Sequence, residues 1–226
     1  MAPACLLLSS VASSAAMATE YSATLTLTSD YRFRGITQSA GDPALQGSLD
    51  AAFDNGVYVG VWGSNIDFDD DAELEVDWYV GYAADINEQM NWDATLYYYT
   101  YPGYDTDGDY AELALNFNYG DLTLGYAHAS DFFNTGEPSQ YLALDYSYGI
   151  SETISLDLHA GYSFGDYWKD LDIGEYRDFS VGVSTSVADF DLSLAYLFND
   201  VDSDMELDSG AFANDETLLL SVSRSF

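Results

Sequence analysis

The sequence predicts an all-β fold: a single antiparallel β-barrel of twelve strands occupying residues 19–226. Three observations predict it. Apolar and polar residues alternate with period two along unusually long segments. The connections between those segments alternate strictly between long and short. The chain ends on an aromatic residue that continues the apolar face of its last segment.

Period two puts one face of a segment in an apolar medium and the other in a polar one. In the first segment Tyr21, Ala23, Leu25 and Leu27 alternate with Ser22, Thr24, Thr26 and Thr28. Further on, Leu74, Val76, Trp78, Val80 and Tyr82 alternate with Glu75, Asp77, Tyr79 and Gly81. Ile154, Leu156, Leu158 and Ala160 alternate with Ser155, Asp157 and His159. The same pattern gives twelve segments: 20–34, 44–54, 57–66, 74–86, 91–101, 110–119, 122–130, 140–148, 153–164, 177–187, 191–199 and 216–226. Several exceed the usual length of about 5–6 residues in soluble sheets, as strands crossing a thick layer would.

The long connections are 35–43, 67–73, 102–109, 131–139, 165–176 and 200–215. The short ones are Asn55-Gly56, 87–90, Gly120-Asp121, 149–152 and 188–190. Asn55-Gly56 predicts a two-residue type I′ hairpin turn, because both central positions of that turn need positive φ. Strict alternation sends every long loop to one end and every tight turn to the other. That is the anatomy of an outer-membrane barrel, with long extracellular loops and short periplasmic turns. An even strand count puts both termini on the periplasmic side.

In the last segment Leu218, Leu220, Val222 and Phe226 share parity, and Phe226 is the final residue. A terminal aromatic on an alternating strand resembles the signal by which bacterial barrels are delivered for insertion, which implies the barrel-assembly machinery as a partner. Arg224 shares that face, but so near the strand end it can sit at the headgroups, where a cation costs only about 0–1 kcal/mol. Aromatics fall on the apolar faces where a barrel needs girdles: Tyr31 and Phe33, Trp78 and Tyr82, Trp92, Tyr119, Tyr146 and Tyr148, and Phe164. Tyr and Trp suit a membrane–water boundary because each joins an apolar ring to a polar tip. An ordinary aromatic core is the alternative.

Ahead of the barrel, residues 1–18 predict a secretory signal peptide. The stretch is small and apolar, and Ala16-Met17-Ala18 is an A-x-A cleavage signature before Thr19. No Lys or Arg precedes the apolar part, so the true start stays open, with an ordered helix as the alternative. Cys5 lies in this segment. Cleavage leaves a mature chain without cysteine, and disulfide and thiol chemistry drop out.

Composition excludes several classes. The chain of 226 residues carries 39 acids against 5 bases, a formal net charge of −34, with 16% aromatic residues. So many aromatics exclude wholesale disorder. Five cations cannot build a phosphate-binding patch, so nucleic acid is not a partner. Beyond residue 18 no run approaches the ~20 apolar residues of a spanning helix.

The segment Ser29-Asp30-Tyr31-Arg32-Phe33-Arg34-Gly35-Ile36-Thr37-Gln38 resembles the start of the proteobacterial TorF-type porin family. Pro43-Ala44-Leu45-Gln46-Gly47 and the stretch from Gly56 to Gly63 are similar to the next part of that family's sequence. The match covers the first third of the chain. It implies an outer-membrane barrel acting as a channel, and it brings no catalytic residues.

About half of the acids fall on the long loops. Ten fall on inward-facing strand positions: Asp30, Asp50, Glu75, Asp77, Asp85, Asp93, Glu112, Asp145, Asp157 and Asp178. Arg32 and Arg34 oppose them near the loop end of the first segment. A water-filled path so lined would concentrate cations and repel anions. At physiological salt the Debye length is about 8 Å, comparable to a narrow lumen radius, so the bias would act there. The alternative for the two arginines is a structural ion-pair network that plugs the barrel. The alternative for the net charge is proteome-wide acidity in a salt-adapted organism.

Asp105, Asp107 and Asp109 on one loop, and alternating acids from Asp200 to Asp208 on another, are weak candidates for Ca²⁺ or Mg²⁺. The EF-hand arrangement fails, since Gly108 stands at position four and Asn116 where position twelve needs Glu. The default is a solvated surface facing lipopolysaccharide, and no cofactor is implied. Catalysis is not expected. His128-Ala129-Ser130 recurs in form in outer-membrane phospholipases, but Leu142 occupies the place of their orienting Asn, and a triad needs that third residue. The sequence thus points to a channel for small polar, cationic solutes. A closed barrel acting structurally through its acidic loops is the competing reading. Oligomeric state is left open.

Overall fold

A computed structural model describes residues 20–69, 71–104, 107–170, 174–201 and 211–226. The expected signal peptide, Asp105, and the acids from Asp202 to Asp208 lie outside the described residues. In chain order the strands are β1 (Glu20–Thr28), β2 (Arg32–Phe33), β3 (Ile36–Thr37), β4 (Ala44–Ala52), β5 (Val57–Asn65), β6 (Leu74–Asn87), β7 (Met90–Thr100), β8 (Tyr110–Tyr119), β9 (Leu122–Ala129), β10 (Ser139–Gly149), β11 (Ile154–Phe164), β12 (Tyr176–Val187), β13 (Phe190–Asn199) and β14 (Thr217–Ser225). A short helix, α1 (Asp166–Asp170), precedes β12. β2 and β3 form their own ribbon, and the other twelve strands close into an antiparallel barrel.

Every barrel strand pairs with its sequence neighbour, and β1 closes the cylinder on β14 in the register Thr24↔Ser225 to Thr28↔Ser221. Phe226 extends that seam, its N–H donating to the Ala23 carbonyl at 2.9 Å. Closure leaves no open strand edge, which is what a strand protein needs in a medium without water. Among the described residues no helix is long and apolar enough to cross a membrane, which says nothing against strands doing so.

The outer face is apolar and exposed. Trp78 is 56% exposed, Leu218 64% and Phe226 65%, and Leu25, Leu49, Leu96, Leu142 and Val181 belong to the same band. A continuous apolar belt of this extent far exceeds what a soluble monomer exposes and calls for lipid. The predicted girdle residues Trp78, Tyr82, Trp92, Tyr119, Tyr146 and Tyr148 are all exposed on it. Tyr31 and Phe33 are corrections. Tyr31 is only 3% exposed, and both side chains belong to an aromatic cluster inside the barrel.

The first predicted segment also needs correcting, because 20–34 is not one strand. β1 stops at Thr28, and the chain then turns inward as the β2–β3 hairpin. Phe33 pairs with Ile36 across Arg34 (φ 51°) and Gly35 (φ 83°). Two successive positive φ values make this the type I′ turn expected at Asn55-Gly56.

At Asn55-Gly56 the loop has three residues instead. The Phe53 N–H donates to the Val57 carbonyl at 2.9 Å and the Gly56 N–H to the Phe53 carbonyl at 3.0 Å. Gly56 alone among the loop's residues has positive φ (88°), the arrangement of a type I turn followed by a left-handed bulge. Asp54 enters the loop, and the Asn55 side chain accepts from the Val57 N–H at 3.1 Å. A Cβ on Gly56 would lie 2.4 Å from the Ala83 carbonyl oxygen. Gly56→Ala is therefore expected to cost at least about 1–2 kcal/mol through the left-handed backbone alone, with displacement of β6 on top. Urea unfolding in phospholipid vesicles, followed by Trp fluorescence, would measure it; an unchanged midpoint would contradict this account of the turn.

Candidate functional site

Strand parity delivers a polar lining to the barrel interior, and the long loops decide how much of it meets water. At the loop end the interior is filled. Tyr31, Trp62, Tyr99, Tyr101, Tyr110, Phe132, Trp168 and Tyr176 form one buried cluster. Its contacts come from wall and loops alike. Tyr31 meets Trp62 edge-on at 5.4 Å, Tyr99 stacks on Tyr110 at 4.6 Å, and Phe132 packs against Tyr110 at 4.8 Å. Trp168 on α1 meets Tyr176 at 5.1 Å and donates its indole N–H to the Ser139 hydroxyl at 2.9 Å.

The β2–β3 hairpin is the centre of this plug. Its base is tied by Asp30, which accepts from Arg32, from the Thr37 hydroxyl and from the Ser39 hydroxyl. Arg32 also donates to the Ala213 carbonyl at 3.0 Å, and the Thr37 N–H donates to the same carbonyl at 3.0 Å. Its tip crosses the lumen. Arg34 Nη2 donates to both carboxylate oxygens of Glu112 on β8, at 2.8 and 2.7 Å. The guanidinium lies between the rings of Phe33 (4.6 Å) and Tyr141 on β10 (4.5 Å). Tyr176 on β12 donates to the Arg34 carbonyl at 2.9 Å. A Cβ on Gly35 would stand 2.8 Å from Asp178 Cβ, so glycine is needed there for both φ and approach. The hairpin thus bridges the walls β8, β10 and β12 through its two turn residues.

The predicted inward acids divide by depth. Asp30, Glu75, Asp77, Glu112 and Asp178 are buried within or beside the plug. Glu75 accepts from the Tyr101 hydroxyl at 3.4 Å. Toward the turn end, Asp50, Asp93, Asp145 and Asp157 are half-buried, among Ser, Thr and Asn side chains. Asp50 accepts from Ser48 at 2.8 Å and from Tyr79. Asp93 accepts from Asn116 at 3.1 Å, and Asp157 from Ser147 at 2.7 Å. Asp85 is exposed at the turn-end mouth. The interior is therefore a polar, acidic vestibule at the turn end, closed toward the loop end by an aromatic and ion-paired plug.

His159 stands where the two zones meet. Its Nδ1 is 2.6 Å from Asp145 Oδ1, and its Nε2 is 3.0 Å from Asp178 Oδ1 and 2.9 Å from the Tyr141 hydroxyl. Its alternation with Leu158 and Ala160 on β11 puts it on the lumen face. Parity missed Tyr141, which carries both Arg34 and Asp178. Its inward position was visible, but the partner that uses it arrives from a loop.

The remaining candidates lie away from the plug. His128 faces outward, with Nδ1 3.0 Å from Gln140 Nε2. Asp109 accepts from the Tyr101 N–H at 3.0 Å and shapes its own loop, while Asp107 is exposed. Among the described residues no group of three or more His, Cys, Asp or Glu is arranged to hold a metal ion. Leu218 and Leu220 project outward, Val222 is half-buried, and Arg224 lies over the rings of Phe190 (5.4 Å) and Phe226 (4.9 Å). At the loop-end rim Arg177 pairs with Asp200 at 2.9 Å. There the Tyr162 hydroxyl, donating at 2.6 Å, holds the Glu175 carboxyl below its usual pKa.

A family model described as "Bacterial protein of unknown function (Gcw_chp)" matches residues 12–226. No curated protein matches the chain. Among solved structures, a KdgM porin has a TM-score of 0.59 at 10% identity, with 91% of this chain and 99% of that one covered. A NanC porin has a TM-score of 0.57 at 11% identity, covering 92% and 99%. A second KdgM structure, in complex with disordered oligogalacturonate, has a TM-score of 0.57 at 8% identity, covering 92% and 99%. At these identities the likeness concerns the fold: a closed twelve-stranded barrel of the outer-membrane porin type.

Proposed function

The chain belongs to the Gcw_chp family of bacterial proteins of unknown function, and we propose that it is an outer-membrane channel protein for small, polar, cationic solutes. The apolar belt supports residence in the outer membrane, with the long loops facing lipopolysaccharide and the turns facing the periplasm. The terminal face of Leu218, Leu220, Val222 and Phe226 fits delivery by the barrel-assembly machinery. The segment from Ser29 to Gln38 supports a place among TorF-type porins.

One observation carries the solute preference: half-buried carboxylates line the turn-end vestibule, whereas both lumen arginines are committed to carboxylates in the plug. Such a path attracts cations and repels anions. Oligogalacturonate, the polyanion complexed with one KdgM structure, is the kind of solute this lining would turn away. Purified protein in planar bilayers under a KCl gradient is expected to give a reversal potential of cation-selective sign. Replacing Asp93 and Asp157 together by asparagine should reduce that preference. The wild-type preference should also fade near 1 M salt, where the Debye length falls to about 3 Å. Anion selectivity in the wild type would refute the charge argument.

A second reading has its own observation. The aromatic plug supports a closed barrel that acts at the surface through its acidic loops. Absence of any conductance step from folded protein would decide for this reading.

A further inference from the structure

Asp77 is only 1% exposed, yet neither of its carboxylate oxygens has a hydrogen-bond partner. Glu75, 3% exposed and two residues earlier on the same inward face of β6, leaves its Oε2 unpartnered as well. Three orphaned carboxylate oxygens therefore sit together in the plug. Burying an ionised carboxylate without a counter-charge costs many kcal/mol, and such an orphan is met by a proton, a water or an ion. Arg34, the buried cation of the plug, gives its Nη2 to both oxygens of Glu112, its Nη1 has no partner, and among the described residues no ion pair joins it to Glu75 or Asp77. The neighbouring donors are all oxygen. The Tyr101 hydroxyl donates to Glu75 at 3.4 Å, the Tyr31 hydroxyl lies near the same carboxylate, and Tyr99 is the cross-strand partner of Asp77.

We propose that Glu75 and Asp77 hold a divalent, oxygen-seeking cation of the Ca²⁺ class inside the plug. Two carboxylates balance its charge. Ca²⁺ accepts irregular sets of carboxylate, hydroxyl and carbonyl oxygens, whereas Mg²⁺ demands near-ideal octahedral geometry and keeps its waters. The bound ion removes the repulsion between the two acids and ties β6 to the tyrosines that wall the plug. This site goes beyond the channel reading and stands whether or not the barrel conducts.

Tb³⁺ tests it, because tyrosine sensitises its luminescence only at close range and the site is ringed by Tyr31, Tyr99 and Tyr101. The full-length chain, refolded with Tb³⁺ and freed of excess metal, is expected to retain one ion per chain with tyrosine-sensitised emission. Ca²⁺ present during refolding should suppress that emission, and equal Mg²⁺ should not. Asp77→Asn should abolish the retained, sensitised ion, and Glu75→Gln should weaken its retention at least tenfold. The loop variant Asp107→Asn should keep it. Folding of each variant is read independently from its heat-dependent electrophoretic shift. Should Asp77→Asn fail to fold, Glu75→Gln and the Ca²⁺ competition on wild type carry the test. No retained sensitised ion in folded wild type, or the same ion in a folded Asp77→Asn variant, overturns the proposal.

Discussion

Arg34→Met is expected to free the plug from the barrel wall while leaving the wall folded. The substitution keeps much of the side-chain volume between Phe33 and Tyr141, but strands the Glu112 carboxylate, itself 2% exposed, without its partner. Breaking one side of a buried ion pair costs about 3–5 kcal/mol, mostly as the penalty of the charge left behind. The wall need not absorb that cost. Its strands are held by a closed ladder, whereas the hairpin is joined to it by side-chain contacts alone, at Glu112, Tyr141 and Tyr176 and through the rings of Trp62 and Tyr99. Regions so attached open locally, well below the global unfolding free energy. Hydrogen exchange at the Thr37 and Gln38 amides, which donate to the Ala213 and Tyr31 carbonyls, should therefore accelerate by roughly two to four orders of magnitude. Amides in the middle of β10 should not change. The double variant Arg34→Met/Glu112→Gln should recover most of the protection, because it removes the stranded charge. Equal exchange in wild type and Arg34→Met, or no recovery in the double variant, would show that the pair does not hold the plug.

The same hairpin explains where sequence reading succeeds and stops. Period two recovers all twelve wall strands, because each alternates between a lipid-facing and a lumen-facing side over many residues. Alternation of loops and turns then fixes their order in space. Within β1 the pattern runs on from Leu25 and Leu27 into Tyr31 and Phe33, since a hairpin also alternates. Periodicity cannot distinguish a strand that continues toward the membrane surface from one that folds back into the lumen. The available clue was Arg34-Gly35 between Phe33 and Ile36, a two-residue turn in its own right. The segment that carried the family resemblance, Ser29 to Gln38, turns out to be the plug-forming hairpin.

Parity also assigned the inward carboxylates to a face but not to a depth. Asp77 and Asp93 look alike in sequence, each inward on a long strand. In the fold Asp77 lies beneath loop aromatics and is sealed, while Asp93 opens on the vestibule and bonds Asn116. The difference is made by the plug cluster, to which the hairpin segment contributes Tyr31 and the loops contribute Phe132 and Trp168. Long-range placement of loop aromatics is not encoded in any local pattern. Depth within the lumen therefore becomes legible only with the structure.

Excising the hairpin is expected to produce the largest change in function. Thr28 and Ala44 are direct cross-strand partners, so their Cα atoms lie roughly 4.5–5.5 Å apart. A short Gly-rich turn can therefore replace residues 30–43, keeping Ser29, whose N–H donates to the Leu220 carbonyl of β14 at 2.9 Å, without disturbing the register of β1 with β4 or β14. The barrel should fold, because its ladder contains none of the excised residues. The plug would lose Tyr31, Phe33, Arg34 and Ile36, and with them the bridge between the β8, β10 and β12 walls. Glu112, Asp178, Glu75 and Asp77 would then face water instead of a packed interior. Two consequences separate this account from a loop that merely decorates the mouth. Single-channel conductance should rise strongly, because the hairpin that crosses the lumen to Glu112, Tyr141 and Tyr176 is gone. Cation preference should rise with it, because both lumen arginines leave while the four buried carboxylates remain. A folded excision variant with wild-type conductance would mean that the remaining loops close the barrel unaided. Rising conductance with falling cation preference would mean that those four carboxylates do not govern the path.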